Sequence, residues 1–241
     1  MNFDLPLSLA AYKRIVVKGR TVVFIILLII FADQALKFYI KLNYFQGEEH
    51  KMIGNWFRLH FVENEGMAWG WKFGGEFGKI ALTLFRLVAV IFGVYYINKI
   101  IKKKEHKGFI ICAALIFAGA LGNLIDSLFY GMIFSNSDPN IQNVAKFLPE
   151  GGGYATFLHG RVVDMLYFPM IDGRFPQWFP FWGDERFEFF RPVFNIADAS
   201  ISVGVIIILL FQKKFFGEHD KKDNVIETTT SVKDENVVRA S

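Results

Sequence analysis

The sequence predicts an all-α membrane protein: a bundle of four transmembrane helices, both termini cytoplasmic, with a small β-containing cradle and loops on the outer side. Three observations predict it. Four stretches of about 19–24 residues are apolar enough to cross a bilayer. Lysine and arginine crowd the chain ends and one short loop. The composition is 53% apolar and 21% charged, with mean hydropathy +0.30, which excludes a disordered chain and a disulfide scaffold. A single cysteine, Cys112, allows neither an internal disulfide nor a multi-cysteine metal site.

The first span covers about 21–42 and begins TVVFIILLIIFA. It follows basic residues as a signal peptide would, but no small-x-small cleavage site follows and Asp33 stands where one would be, so it reads as a retained anchor. The second covers 80–98 and carries Arg86, which reads as a snorkelling residue. The third covers 108–131, with Cys112 as packing. The fourth covers 194–212. Any one alone could be a buried helix of a soluble protein, but four leave too little polar surface for solubility.

Lys13, Arg14, Lys18 and Arg20 precede the first span. Lys99, Lys102, Lys103, Lys104 and Lys107 join the second to the third, and Lys213 and Lys214 follow the fourth. The positive-inside rule then places the long loops, 43–79 and 132–193, outside. The same residues explain a pI near 9.0 through membrane phospholipid rather than nucleic acid. Residues 1–212 read as one membrane-embedded domain and 213–241 as a polar cytoplasmic tail without fixed structure. Within the outer loops, the alternation of 55–62 (NWFRLHFV) predicts a strand, and the aromatic-rich 167–193 suits a membrane interface or a small folded lid.

A charge within a bilayer costs at least about 2.5–3.5 kcal/mol, so each intramembrane polar group calls for a reason. The spans hold Asp33, Lys37, Arg86, Asn123, Asp126, Asn195 and Asp198. Three helices bring acids to one level in the outer half. Asn123 and Asp126 share a helix face, as do Asn195 and Asp198. Asp33 and Lys37, four apart, read as a structural ion pair. Asn123 suits helix joining. Asn195 suits an N-cap, with Asp198 favourable in the first turn. Asp164 lies just outside the third span between Val162-Val163 and Met165-Leu166. Two carboxylates that share a proton can hydrolyse a peptide bond. No H-E-x-x-H or G-x-S-x-G occurs. The alternative from another class is a small transporter or proton-conducting protein, against which stands the absence of an inverted repeat.

Five pieces in order, Asp33-Gln34-x-x-Lys37, Asn64-Glu65-Gly66-Met67-Ala68-Trp69, Gly119 to Asp126 (GALGNLID), Val162-Val163-Asp164 and Phe194-Asn195-Ile196-Ala197-Asp198, resemble the lipoprotein signal peptidases, the type II signal peptidases of bacteria. The resemblance implies an intramembrane aspartyl endopeptidase without cofactor or metal. It would cut a prolipoprotein before its diacylglyceryl-modified cysteine, acting as a monomer at the outer face of the inner membrane. It implies Asp164 and Asp198 as the catalytic pair, whereas depth alone points to Asp126 beside Asp198. Asp33, Lys37, Asn64, Gly66, Asn123, Asp126, Asn195 and Ala197 would support the site or the substrate. The family's arginine after G-N-x-x-D is Ser127 here, and Arg161, three residues before Asp164, is the candidate replacement. The residue after the N-x-G glycine is Met67. Residues 132–159 and 169–191 exceed what the compact family core needs.

Overall fold

The computed structural model describes residues 17–64, 75–169 and, apart from 170, 175, 179, 181, 182, 185, 190 and 191, the stretch on to 216. Four helices carry the architecture: α1 (Gly19–Asn43), α2 (Gly75–Lys102), α3 (Lys107–Ile133) and α4 (Ile196–Phe216). Each is long and apolar enough to cross a membrane. The 25 residues of α1 rise about 37 Å, more than the roughly 30 Å of a hydrocarbon core. The helices outrun the expected spans because flanking residues such as Lys99, Lys102 and Lys107 remain helical while their charged ends leave the apolar layer. The fourth begins two residues later than expected and continues to Phe216. The supposed unstructured tail thus starts inside a helix, and its remainder lies outside the described residues.

α1 shows why such a sequence folds in lipid. Phe24, Leu27 and Phe31 are exposed, the last at 73%, as suits a face turned to hydrocarbon. The buried face at the other side of its second half is Asp33, Lys37, Ile40 and Lys41. Apolar side chains gain nothing by leaving lipid for protein, so polar groups and small residues join the helices instead. Gly119 and Gly122 of α3 illustrate the second device. A Cβ on Gly119 would come within 2.2 Å of the Ala197 carbonyl oxygen, and one on Gly122 within 2.9 Å of Asp33 Oδ2.

At one end, strands β1 (Glu49–Ile53), β2 (Phe57–Asn64), β3 (Val162–Tyr167) and β6 (Val193–Phe194) form an antiparallel sheet in the order β1-β2-β3-β6. Strands β4 (Ile171–Arg174) and β5 (Arg186–Phe189) pair as a separate ribbon within the aromatic segment. The alternation expected over 55–62 is present in β2, displaced by two residues because 54–56 form the hairpin turn. Leu59, Phe61, Val163 and Met165 of the sheet pack with Ile40, Tyr44, Tyr130, Phe134 and Ala145. Phe134 and Ala145 come from the long loop 134–160, which therefore supplies core to the sheet. A second apolar cluster, Val22, Ile97, Ile100, Phe109, Ile110, Cys112, Ala114 and Phe215, closes the far end of the bundle and absorbs Cys112 as packing. The polar side chains lie between the two clusters.

α3 departs from regularity where the site begins. Residues Asp126–Tyr130 form one π turn, a local widening that recurs at functional positions. The returning loop bonds to this turn. Gly160 N–H donates to the Ser127 carbonyl at 2.9 Å, and Ala155 N–H to that of Gly131 at 2.8 Å. A Cβ on Gly160 would meet the Asp126 carbonyl oxygen at 1.9 Å, so only glycine lets the chain approach closely enough to start β3 against the turn.

Candidate active site

Lys37 is the hub of the buried polar layer. Its Nζ lies 2.8 Å from Asp33 Oδ2 and 2.8 Å from Asp126 Oδ2, and donates to Asn123 Oδ1 at 3.0 Å. Lys37, Asp33 and Asp126 are all at most 1% exposed. The expected Asp33–Lys37 pair is present and Asp126 joins it, so one cation serves two acids. Asp33 also accepts the Ala197 N–H through Oδ1 at 2.9 Å, which ties α1 to the start of α4. Ala197 is fully buried beneath Gly122, so a larger side chain there would force α3 and α4 apart.

Asn195 acts as the helix cap the sequence suggests. Its Oδ1 accepts the Asp198 N–H at 2.8 Å, while Asp198 Oδ2 accepts the Asn195 N–H at 3.4 Å, the reciprocal arrangement of a capping box. Capping is half of its work. Its Nδ2 donates to Asp164 Oδ1 at 2.7 Å and to Asn123 Oδ1 at 3.0 Å. Asn123 in turn donates from Nδ2 to Asp198 Oδ1 at 2.7 Å. Asp164, Asn195, Asn123 and Asp198 thus form a chain of hydrogen bonds that brings a strand carboxyl and a helix carboxyl into one network. Strand β3 carries Asp164 there.

Asn64, at the end of β2, donates from Nδ2 to Asp164 Oδ2 at 3.2 Å. As a residue expected to support the site or the substrate, it touches the carboxyl itself. Gly66 and Met67 lie outside the described residues. Asp164 is 3% exposed. Burial, and then the negative charge of Asp198, push its carboxyl up to about 7, against smaller opposing effects of Asn64, Lys37 and Asn195. It is therefore the partner suited to hold a proton near neutrality.

Asp126, which depth alone pairs with Asp198, is occupied otherwise. Beyond Lys37, it accepts from Gln34 Nε2 at 2.9 Å and from the Val163 N–H at 3.3 Å. It joins α1, α3 and β3. Gln34, within the Asp33-Gln34-x-x-Lys37 piece, is a further residue of the site. Its Oε1 accepts from the Tyr130 hydroxyl at 3.0 Å, and an amide beside Asp33 in an apolar span was the signal available. Arg161 goes elsewhere than the polar layer around Ser127. Its guanidinium donates to Glu63 Oε2 and Asn136 Oδ1, both at 2.9 Å, and lies over the Tyr154 ring. The guanidinium that meets Ser127 is that of Arg86, at 3.0 Å from Oγ. Arg86 therefore points into the protein rather than snorkelling away. Among the described residues, no three His, Cys, Asp or Glu side chains gather as a metal-holding group.

Two carboxyls in one hydrogen-bonded chain, one raised to neutrality and both flanked by amide donors, can activate a water and protonate a carbonyl oxygen. Comparison with known proteins agrees with this chemistry. The family described as signal peptidase (SPase) II matches residues 25–214. A lipoprotein signal peptidase of Porphyromonas gingivalis is 47% identical over 203 residues, covering 84% of this chain and 87% of its own length. One from Amoebophilus asiaticus is 35% identical over 210 residues, covering 86% and 84%. Two solved bacterial membrane enzymes share the fold, with TM-scores of 0.51 and 0.50 at 24% identity, covering 81% and 80% of this chain and 89% and 92% of theirs. The match spans all four helices and the sheet, and the chain belongs to the signal peptidase II family.

Proposed function

We propose that Asp164 and Asp198 are the catalytic pair of this lipoprotein signal peptidase, a multi-pass membrane enzyme that removes the signal peptide from prolipoproteins. The observation that carries the assignment is the hydrogen-bond chain Asp164–Asn195–Asn123–Asp198, with Asp126 committed to Lys37. In this reading Asp164 enters the reaction protonated and hydrogen-bonds the scissile carbonyl oxygen. Asp198 takes a proton from water as the water oxygen attacks the carbonyl carbon. The tetrahedral intermediate collapses as a proton passes to the leaving amine, and the pair returns to its single shared proton. Asn64 and Asn195 hold the two oxygens of Asp164, and Asn123 holds Asp198, so both carboxyls are oriented before substrate arrives.

The site lies between the apolar bundle and the sheet. That depth suits a substrate anchored in the bilayer by acyl chains, with its scissile bond close to the surface. The basic segment Lys99–Lys107 at the opposite end supports an orientation with that end cytoplasmic, in contact with anionic phospholipid, and the sheet outside the inner membrane. In this reading the enzyme acts as a monomer. The test is a cleavage assay on a diacylglyceryl-modified prolipoprotein beside its unmodified form. Cleavage of the modified form alone is expected. Cleavage of both would make the enzyme a general protease, and cleavage of neither would favour the transporter reading.

A further inference from the structure

Arg86 has no part in the reaction above, yet it sits half-buried within an apolar span, where a charge persists only against a partner. Its Nη1 donates to Ser127 Oγ at 3.0 Å. Ser127 gives its own hydroxyl proton to the Asn123 carbonyl at 2.9 Å. A hydroxyl has one proton to donate, so Ser127 is turned to accept from Arg86, and the seat is directional. Asn123 is the residue whose amide holds Asp198, at 2.7 Å. Arg86 is thus connected to the catalytic pair through two residues of α3.

The charges of the layer explain why a second cation belongs there. Among the described residues, four acids face the site: Asp33 from α1, Asp126 from α3, Asp164 from β3 and Asp198 from α4. Lys37 from α1 is consumed by the first two. The hydrogen bonds through Ser127 and Asn123 lead from the Arg86 guanidinium to Asp198.

We propose that Arg86, seated on Ser127, is a positioning residue for the catalytic carboxyl pair, the cation from α2 that balances its negative charge and sets the pH range of cleavage. The guanidinium favours the singly protonated pair over the doubly protonated one, because an opposite charge nearby stabilises a carboxylate. Without it, the pair takes up its second proton at higher pH, and the acid limb of activity moves upward. The inference rests on the Asp164–Asp198 reading.

The test is the pH dependence of kcat/KM, with kcat and KM separated, on diacylglyceryl-modified prolipoprotein in detergent. For Arg86→Gln we expect kcat to fall about tenfold or more near pH 6. The acid limb should rise by about one pH unit, with KM within about twofold. Arg86→Lys should restore most of the limb. The exchange variant Arg86→Ser with Ser127→Arg returns a guanidinium to the same contact from the other helix. It should restore the limb too, which keeps the test open if Arg86→Gln inserts poorly. An unmoved limb in Arg86→Gln, or a raised KM with unchanged kcat, overturns the assignment. So does failure of both charge-restoring variants to recover the limb while they remain folded. If Asp164→Asn and Asp198→Asn still cleave, the dyad reading itself has failed. If they are inactive and Arg86→Gln keeps the wild-type limb, only the role of Arg86 has.

Discussion

α1 carries two buried lysines one turn apart, and their surroundings differ in a way that separates support from chemistry. Lys41 is bonded to Glu63 and, at 3.2 Å, to Ser137. It lies over the rings of Phe61, Phe134 and Tyr154. Arg161 completes that cluster through Glu63, so among the described residues two cations surround one acid. The Tyr154 hydroxyl is held neutral by burial and by Glu63, and accepts the Arg161 N–H at 2.6 Å. The result joins α1, β2, the long loop and the start of β3. Around Lys37 the proportion is reversed. Among the described residues two cations, Lys37 and Arg86, face four acids, Asp33, Asp126, Asp164 and Asp198. Cations beside a carboxylate favour its charged form and weaken it as a base, whereas neighbouring carboxyls hold one proton between them and so offer both an acid and a base.

The first way to break this comparison is to neutralise the carboxyl pair. Asp164→Asn and Asp198→Asn should each lower cleavage about 10³-fold or more while the protein stays inserted, measured as initial rate on lipid-modified prolipoprotein. Wild-type rates in either variant would end the distinction between the clusters.

Removing the hub lysine comes next. Lys37→Met leaves Asp33 and Asp126 buried without their cation. Breaking a buried ion pair from one side costs about 3–5 kcal/mol. Thermal unfolding in detergent should drop by many degrees and kcat should fall with it, because Asn123 loses its lysine donor.

The matching change in the other cluster sharpens the contrast. Glu63→Gln strands Lys41, with a stability loss of similar size, but kcat of the folded enzyme should stay within about threefold of wild type. A larger loss in kcat at full folding would show that the second cluster also serves the chemistry.

The smallest effect concerns pH and stability. Asp164 is raised in the folded protein to about 7 from an ordinary value of 3.8. The folded state therefore binds this proton more tightly than the unfolded one. Its contribution is fully present below about pH 4 and is lost as pH rises through 7. Asp164→Asn should then resist unfolding better than wild type at pH 8, with the advantage shrinking toward pH 4. Melting temperatures across that range check it, and a gain at pH 4 that vanishes at pH 8 would contradict the assigned direction.

Much of this was legible in the residues. Hydrophobic length located four spans, because a bilayer imposes one minimum length on any helix that crosses it. The spacing of Asn123 with Asp126, and of Asn195 with Asp198, placed each pair on one helix face, because 3.6 residues per turn is a local property. The motif order brought Asp164 forward although it lies outside every span. What stayed hidden was contact between elements distant in the chain. Arg86 carries no local sign that it turns inward, since a snorkelling arginine and one seated on Ser127 have the same neighbours in sequence. Arg161, close to Asp164 in sequence, is the candidate replacement until α2 and α3 are set side by side and Arg86 meets Ser127. The role of the loop 134–160 as core also depends on its return to the π turn, where Gly160 meets Asp126.

By itself, then, the sequence determined the membrane bundle and the acids available to its chemistry, because hydropathy, helical period and side-chain type are fixed residue by residue. Only the tertiary structure decided which acid faces which cation. An ion pair depends on separations of a few ångström between helices, and those are set by glycine contacts such as Gly119 against Ala197 and by the widened turn at Asp126, neither of which has a meaning before the chain is folded.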